Sequence, residues 1–200
     1  MANLGAAPAV YTYPSSVNGI DANTIVNEYH KFVINCANCA YPHGFLDVEK
    51  ASGEGFSPNG AIPIIRQTMR EWSTGDKAYR TSVDNGATWG EWIYETPPMK
   101  VGVAYRTAER RNGKPVYTKL IDFGYLPAND TKSVDIGIQA SRVFALEGSA
   151  YSAASSEFIP VPTGYNGVLG AYAYAWGSDL YVRSTADLST YSAAFVIKYI

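Results

Sequence analysis

The sequence predicts an all-β protein, and three observations support this prediction. The 200 residues include 16 Tyr, 4 Trp, 7 Phe and 18 Gly, a composition typical of short strands joined by tight turns. Apolar and polar residues alternate in short runs along most of the chain. Turn signals that contain Gly, Asn or Pro separate these runs. We therefore expect little helix and one or two compact domains built from strands.

The first 35 residues contain an uncharged segment followed by an ambiguous one. Residues 1–20 carry Ala, Pro, Ser and Tyr without a sustained period, which predicts an extended arm or linker. In residues 21–35, Ile25, Tyr29 and Phe32 fall near one face of a possible helix. The alternation of β-branched and aromatic residues in 28–34 favours a strand for the second half, and a helix is the alternative.

Four further strands are predicted before residue 97. Residues 44–51 and 61–72 alternate, and residues 77–83 and 88–94 flank Asp84-Asn85-Gly86, a turn whose Asn-Gly pair accepts positive φ. We expect a hairpin there. The run Thr96-Pro97-Pro98 removes ladder donors and marks a domain boundary. The predicted organisation is an arm at 1–20, a small β-rich domain at 21–96 and a second domain at 97–200.

The second domain is predicted to be an antiparallel β-sandwich, jelly-roll-like in arrangement. Residues 103–124 read as strand, Asn112-Gly113 turn and strand. Later strands are predicted at residues 133–138, 142–146, 156–161, 168–176, 180–184 and 193–200. About eight strands at this spacing, with turn signals between them, are typical of a sandwich or jelly-roll-like barrel.

The charge and hydropathy of the chain exclude two classes of partner. Sixteen Lys and Arg against 18 Asp and Glu give a formal net charge of -2, so no basic field attracts nucleic acid. No apolar run approaches the roughly 20 residues of a membrane helix, so we expect no membrane insertion. The chain also begins without the basic start and apolar block of a secretory signal.

Residues 21–94 resemble a pyocin-knob domain, the small β-rich module of phage tail fibres and R-type pyocin fibres. The matching pieces are DANTI, the strand at 29–35, the loop at 38–44, Gln67 and the block AYRTSVDNGATWGEW. From Pro97 onward, PPMKVGVAYRTAERRNGKPVYTKLIDFGYLP and the closing FVIKYI are similar to the tip domain of prophage and gut-phage tail fibres. The resemblance implies a viral protein located in the tail fibre of a virion. It implies a homotrimeric receptor-binding protein for host attachment, or adhesion, to a bacterial surface.

His30, Cys36, Cys39 and His43 form the one cluster with metal-ligand chemistry. Two thiolates and two imidazoles suit zinc, but His43 follows Cys39 more closely than a finger-like site requires. We favour the interpretation in which the cysteines pack in a loop, and we expect no metal and no cofactor. A local bridge between Cys36 and Cys39 stays open.

The tryptophans and tyrosines are candidates for stacking on sugar rings. Trp89 and Trp92 lie three residues apart in a predicted strand and so point to opposite faces, which favours core positions for them and for Trp72. In residues 168–176, Tyr172, Tyr174 and Trp176 share one strand face and alanines share the other. We favour packing of this aromatic side into the sandwich or against neighbouring subunits.

Loops on a rigid sandwich are the better ligand candidates, because loops carry binding while strands carry packing. We place them at one distal end, in residues 151–156, 163–166 and 177–179. The predicted ligand-binding residues for a neutral surface glycan are Tyr151, Tyr165, Asn166, Trp176 and Asp179.

A basic cluster of Arg106, Arg110, Arg111 and Lys114 is a candidate for phosphate-bearing cell-wall polymer, although a solvated hairpin is the favoured interpretation.

The sequence predicts a protein that is not an enzyme. It lacks the nucleotide, hydrolase, metalloprotease and calcium motifs, and the acids available for glycan hydrolysis are identified by count alone. These acids are Asp122, Glu147, Glu157, Asp179 and Asp187. The leading hypothesis is therefore a homotrimeric tail-fibre tip that binds surface carbohydrate or a teichoic-type polymer and contacts other tail proteins. The alternative is a structural or adaptor component of a phage tail or contractile injection apparatus, and a depolymerase is third.

Overall fold

The computed structural model describes residues 16–51, 63–165 and 168–200. Across these residues the chain forms fifteen strands and two short 3₁₀ helices, Ala22–Thr24 and Ala140–Arg142. The prediction of an all-β fold is confirmed. The chain divides into two compact units, Met1–Thr96 and Pro97–Ile200, here called unit 1 and unit 2.

Unit 1 is built on one sheet whose strands follow one another in chain order. The strands are β1 (Val17–Asn18), β2 (Tyr29–Ile34), β3 (Gly44–Ala51), β4 (Ile64–Glu71), β5 (Lys77–Ser82) and β6 (Ile93–Tyr94). β1 is parallel to β2, and the other neighbouring pairs are antiparallel.

The start of unit 1 differs from two expectations. The last residues of the predicted arm belong to the sheet, because Val17 pairs with Val33. A helix across residues 21–35 is wrong: only Ala22–Thr24 forms a 3₁₀ turn, where the Asp21 carboxylate accepts a hydrogen bond from the Asn23 backbone N–H at 2.9 Å. The strand predicted for the second half is confirmed as β2. Residues 1–15 lie outside the described residues.

The core of unit 1 combines apolar residues with a polar pair. Val33, Leu46, Ile65 and Met69 are buried on one side of the sheet. Gln67 is fully buried among them and is satisfied at both ends of its amide. Its Nε2 donates to the carbonyl oxygens of Ala22 and Ile25 at 2.6 and 3.0 Å, and its Oε1 accepts from Nε of Arg80 at 2.8 Å.

The guanidinium of Arg80 lies between two indole rings. It is 4.5 Å from the ring centroid of Trp89 and 4.6 Å from that of Trp92. The indole N–H of Trp89 donates to the carbonyl of Asn23, and that of Trp92 donates to the carbonyl of Asn38. Aromatic faces attract a cation, so the two rings cover a charge that is otherwise removed from water.

This arrangement corrects the predicted hairpin. The turn is present, with Asn85 and Gly86 at positive φ, but the second arm is a strand only at Ile93–Tyr94. The Asp84 carboxylate accepts hydrogen bonds from the backbone and hydroxyl of Thr88, which curl the chain into a loop. The two tryptophans therefore do not point to opposite faces of a strand, as expected, but converge on Arg80. They pack against the core as predicted.

Trp72 is a further correction, because its side chain is 61% exposed in the turn that follows β4. The prediction that it lies in the core is wrong.

Unit 2 contains nine strands in its described residues, arranged in two antiparallel sheets. They are β7 (Ala104–Arg111), β8 (Lys114–Tyr125), β9 (Thr131–Asp135), β10 (Val143–Ser152), β11 (Glu157–Val161), β12 (Thr163–Tyr165), β13 (Val168–Trp176), β14 (Asp179–Ser184) and β15 (Ser192–Tyr199). The five-stranded sheet has the order β7-β8-β15-β10-β11, and the four-stranded sheet has the order β12-β13-β14-β9.

The two sheets of unit 2 share one apolar core, as in a β-sandwich. Phe123 and Phe195 of the five-stranded sheet meet edge to face with ring centroids 5.6 Å apart. Leu180 and Val182 of the four-stranded sheet belong to the same cluster. Gly148 lies opposite Phe195, and a Cβ atom at Gly148 would lie only 2.1 Å from the Phe195 ring. The phenylalanines therefore leave space only for small neighbours.

Two features fix the geometry of the four-stranded sheet. Gly177, at φ 62°, and Ser178 form a two-residue turn between β13 and β14, which sets the register of that hairpin. Lys132 of the edge strand β9 points inward, and its Nζ donates to the carbonyl oxygens of Phe123 and Tyr125 at 3.1 and 2.8 Å. An inward lysine on an edge strand also discourages pairing with other chains.

Candidate ligand-binding face

The outer surface of the four-stranded sheet is lined with aromatic rings. Along β13, Ala171 is fully buried in the core and Ala173 packs against it, so the alternating residues Tyr172, Tyr174 and Trp176 point away from the core. The interpretation that the aromatic side packs into the sandwich is wrong. The reason lies in the opposite sheet, where Phe123 and Phe195 already fill the space between the layers.

Strand register places β14 and β9 beside these rings. Directly paired residues share a face of an antiparallel sheet. The register gives three rows across the outer surface: Trp176, Asp179 and Asp135; then Tyr174, Tyr181 and Ser133; then Tyr172, Arg183 and Thr131. We call the surface formed by Tyr172, Tyr174, Trp176 and Tyr181 the aromatic face.

The rings of the aromatic face form one continuous ladder. Tyr174 and Tyr181 stack with centroids 5.2 Å apart and planes 10° apart. Tyr172 lies 6.0 Å from Tyr174, and Trp176 lies 6.1 Å from Tyr181. The Trp176 side chain is 70% exposed and that of Tyr174 is 39% exposed. A contiguous exposed patch of this kind marks an interaction site more often than isolated exposed residues do.

Polar and charged groups border the ladder at its two ends. The Tyr181 hydroxyl donates to Oδ2 of Asp179 at 3.5 Å, and Oδ1 of Asp135 accepts from the Gly137 backbone N–H at 2.8 Å. Arg183 is exposed in the row of Tyr172, four residues along β14 from Asp179. The face therefore has an acidic end beside Trp176 and a basic end beside Tyr172.

This arrangement suits a sugar chain. Aromatic faces gain dispersion energy against the C–H surface of a pyranose, and the neighbouring carboxylates accept hydrogen bonds from hydroxyl groups. The ladder runs about 13 Å between Tyr172 and Trp176, at about 3.3 Å per residue. It is an open surface, which can contact several units of a polymer.

Among the predicted ligand residues whose side chains the structure describes, Trp176 and Asp179 lie together and Tyr151 lies apart. Trp176 and Asp179 are direct register partners on the aromatic face. Tyr165 has its backbone in β12, paired with Val168, and Asn166 lies outside the described residues. Tyr151 lies on the other sheet. The predicted loop positions are wrong for Tyr151 and Asp179, which belong to β10 and β14, whereas Trp176 lies in the strand predicted for it.

Tyr151 is part of a separate apolar surface. On the outer side of the five-stranded sheet, Tyr151 pairs with Phe158 on one side and with Ser192 on the other, and Ser192 pairs with Tyr125. Tyr125, Tyr151 and Phe158 are 64%, 49% and 67% exposed. We call these three residues the Tyr151 row.

The Tyr151 row and the acidic end of the aromatic face lie at opposite ends of unit 2. Ala175, next to Trp176, lines a cleft with Val143 and Leu146 at the start of β10. Tyr151 lies near the end of the same strand, roughly 20 Å farther along it. A single small ligand therefore does not contact both Tyr151 and Trp176.

Sequence reasoning missed Tyr181 as a site residue. A signal was available in β14, where buried Leu180 and Val182 alternate with Asp179, Tyr181 and Arg183. This alternation assigns Tyr181 to the same outer face as Trp176 once the register of the hairpin is known.

The basic cluster lies on the hairpin of β7 and β8, where two of its members have partners within unit 2. Arg110 donates to the carbonyl of Gly113 at 3.1 Å, and the Arg111 guanidinium lies 4.2 Å from the Phe144 ring centroid. Lys114 is exposed at the start of β8. These contacts favour the interpretation of a hairpin whose side chains serve local structure.

The four residues with metal-ligand chemistry have other partners. Cys36 and Cys39 are joined by a disulfide, which resolves their state in favour of the local bridge. His30 contacts Oδ1 of Asp47 at 3.0 Å, and Nδ1 of His43 accepts from the Asn35 backbone N–H at 3.2 Å. Within the described part of the chain, no three His, Cys, Asp or Glu side chains converge as a metal site would require.

The candidate acids occupy varied positions. Asp122 accepts from the Gly124 backbone N–H, and the Glu157 carboxylate accepts from the Tyr191 hydroxyl, which raises the pKa of Tyr191. Asp187 accepts from the side chain and backbone of Ser189, which lowers its pKa. Four of the five acids therefore accept hydrogen bonds from nearby groups, and one of these four, Asp179, lies on the aromatic face.

Comparisons with known proteins give structural likenesses only. No family model and no curated protein matches the chain. The chain is similar to a Pseudomonas aeruginosa R1 pyocin fibre structure at 12% identity and a TM-score of 0.33, covering 94% of this chain and 67% of that one. It is similar to an N-truncated R2-type pyocin tail fibre at 12% identity and 0.31, covering 94% and 100% of the two chains. A P. aeruginosa R2 pyocin fibre gives 11% identity and 0.30, covering 97% and 70%.

In the described ranges, none of the helices has the length and apolar character needed to span a bilayer.

Proposed function

We propose that this protein is the tip of a phage tail fibre and that it binds carbohydrate on a bacterial surface through the aromatic face. The observation that carries this proposal is the exposed ladder of Tyr172, Tyr174, Tyr181 and Trp176 beside Asp179. Stacked rings with an adjacent hydrogen-bonding group are the elements of glycan recognition. In this proposal the protein attaches the virion to its host and does not cleave the glycan.

The assignment to a fibre rests on the sequence. The block AYRTSVDNGATWGEW supports a pyocin-knob domain at residues 21–96, and the segment from Pro97 supports a fibre tip domain at residues 97–200. The protein then acts outside the bacterium, as part of the tail fibre, in contact with other tail proteins.

We extend this proposal to a homotrimer. The Tyr151 row is an exposed apolar surface without a charged side chain among its members, a type of surface that protein contacts cover. Several copies of the aromatic face on one fibre raise the binding strength of a weak individual site through avidity. A mass near three times 21.7 kDa, about 65 kDa, in light scattering after size exclusion supports the trimer, and a monomer mass contradicts it.

The same apolar row also favours one alternative function. A structural or adaptor component of a tail or contractile injection apparatus needs a surface for neighbouring proteins rather than for sugars, and the Tyr151 row is suited to that. Under this alternative, substitutions in the Tyr151 row abolish particle assembly, and substitutions in the aromatic face have no effect on cell binding.

The proposal is tested on a panel of immobilised bacterial surface polysaccharides and whole cells. We expect the full chain to bind at least one of them and the variant Tyr174→Ala/Trp176→Ala to lose that binding. The matched control Arg110→Ala/Arg111→Ala removes two exposed cations of the hairpin and is expected to keep binding. If the control variant loses binding and the aromatic variant keeps it, the aromatic face is not the binding site. Release of oligosaccharide from a bound polymer contradicts the non-enzymatic role.

A further inference from the structure

The acidic end of the aromatic face carries an unusual pair of charges. Asp179 and Asp135 are directly opposite each other in the register of β14 and β9. Like charges at directly opposed positions destabilise an antiparallel pair. No ion pair involves either carboxylate in the described parts of the chain. Each carboxylate accepts a hydrogen bond, Asp135 from the Gly137 N–H and Asp179 from the Tyr181 hydroxyl, but no cation of the described residues pairs with either one, so the local potential is negative.

The two lysines close to this row in the fold donate to backbone carbonyl oxygens and not to the carboxylates. Lys119 directs its Nζ to the carbonyl oxygen of Ile136 at 2.9 Å, and Lys132 directs its Nζ into the sandwich. Arg183 is on the same face but in the row of Tyr172, about 13 Å from Asp179 along β14. These three side chains therefore do not neutralise the pair, and a cationic group on a ligand can do so.

Trp176, the third residue of this row, indicates which kind of cation fits. Trp176 is the register partner of Asp179, and its indole is largely exposed. An indole face attracts an organic ammonium group and also offers apolar surface to the carbon atoms attached to it. A calcium ion requires six to eight oxygen ligands, which two carboxylates and an indole do not supply.

We propose that the Trp176–Asp179–Asp135 row recognises a protonated amino group on the bound glycan, so that the receptor is an amino-sugar or amine-substituted polymer. This inference rests on the proposed function and narrows its ligand class. The amine lies over the indole and between the two carboxylates, while the neutral part of the glycan stacks on Tyr174 and Tyr181. Charge complementarity, rather than ring stacking alone, then selects the receptor.

The test compares two probes with the same sugar backbone, one with free amino groups and one with acetylated amino groups. The full chain, labelled with 5-fluorotryptophan, is titrated at pH 6 and low salt with the β-1,4-linked tetramer of glucosamine and with its N-acetylated form. An aliphatic amine is protonated at this pH, and the amide is neutral. The ¹⁹F resonance of Trp176 is assigned with Trp176→Phe. The Trp72 resonance is an internal control, because Trp72 is also exposed but lies in unit 1.

We expect the Trp176 resonance to move with both tetramers, with a Kd lower by about two- to fivefold for the amino form. In Asp135→Asn/Asp179→Asn the two Kd values become equal. The matched control Glu147→Gln removes an exposed carboxylate from the outer face of the other sheet and keeps the preference.

Three results overturn the inference: equal Kd values in the wild type, a preference that survives in the double Asn variant, or no movement of Trp176 with either tetramer. Movement of Trp176 by calcium chloride but not by the amine also overturns it. Failure of the inference is distinguishable from failure of the proposed function. If Tyr174→Ala/Trp176→Ala still abolishes polysaccharide binding, the function stands and only the amine specificity is lost.

Discussion

The two units use the same kind of side chain in opposite ways. In unit 1, Trp89 and Trp92 turn inward and enclose the guanidinium of Arg80. In unit 2, Trp176 turns outward, is largely exposed and lies 6.1 Å from Tyr181 between ring centroids. An inward indole stabilises the fold, whereas an outward indole that is part of a ladder is free to contact a ligand.

The contrast follows from what each core contains. The core of unit 1 includes buried Gln67 and Arg80, and burial lowers the pKa of Arg80 to about 10, an effect that the nearby Asp21 opposes. Aromatic faces and hydrogen bonds must therefore replace water around that charge. The core of unit 2 is filled by Phe123 and Phe195, so Tyr172, Tyr174 and Trp176 of β13 have no room inside.

The largest expected effect comes from removing the buried cation of unit 1. Arg80→Ala leaves Oε1 of Gln67 without its donor and opens a cavity between the two indoles, and we expect a loss of about 3–5 kcal/mol in the free energy of unfolding. Urea unfolding followed by tryptophan fluorescence measures it. The control is Arg66→Ala, which removes an exposed guanidinium 4.8 Å from the Tyr79 ring and is expected to cost below about 1 kcal/mol. Equal losses of unfolding free energy in Arg80→Ala and Arg66→Ala would contradict the difference between the buried and the exposed arginine.

The next effect tests the apolar core of unit 2. Gly148→Ala places a Cβ atom against the Phe195 ring, and overpacking of this kind costs about 1–3 kcal/mol. Calorimetry is expected to show a lower melting temperature for the transition of unit 2. The second substitution Phe195→Leu in the same chain is expected to recover part of that loss, and Ala194→Ser on the exposed side of β15 changes little. A Gly148→Ala variant with an unchanged melting temperature would contradict the packing described for this core.

A smaller effect is expected in the pH dependence of unit 1. Hydrogen bonds from Thr88, followed by that from Ser82, lower the pKa of Asp84 from 3.8 to about 2, and hydrogen bonds also lower the pKa values of Asp21 and Glu71 in unit 1. A carboxyl group with a depressed folded-state pKa adds stability above its unfolded pKa, and this stability is lost as the pH falls through the folded value.

We therefore expect unit 1 to lose stability between about pH 4 and pH 2, and Asp84→Asn to flatten this dependence. Thermal unfolding followed by tryptophan fluorescence across this range measures the slope. If the melting temperature of Asp84→Asn depends on pH as steeply as that of the wild type, this carboxylate does not stabilise unit 1 as described.

The sequence can predict strands better than it can predict which side of a strand is buried. The alternation in residues 44–51 and 168–176 identifies β3 and β13 with the correct bounds. The same alternation separates Tyr174 from Ala173 but does not say which side faces inward. That depends on Phe123 and Phe195, which are distant along the chain and belong to the other sheet.

The predictions for the loop at residues 84–92 and for the ligand-binding face were wrong for a related reason. Local signals in the sequence predict the turn at Asn85-Gly86, but the convergence of Trp89 and Trp92 depends on Arg80 in another strand. Similarly, Trp176 and Asp179 are close in sequence, whereas Asp135 joins them only through the pairing of β14 with β9. Pairings between distant strands are set by the tertiary fold, so single-chain patterns leave them undetermined.

We propose that the outward tryptophan of unit 2 contacts the receptor, and a comparison of two single variants tests this contact. Trp176→Ala and Trp72→Ala each remove one largely exposed indole, from unit 2 and unit 1 respectively. Both are expected to keep wild-type melting temperatures. Binding of each to the polysaccharide or cells captured by the wild type is then measured. We expect Trp176→Ala to lose most of the binding and Trp72→Ala to keep it. Wild-type binding by Trp176→Ala would contradict the proposed contact.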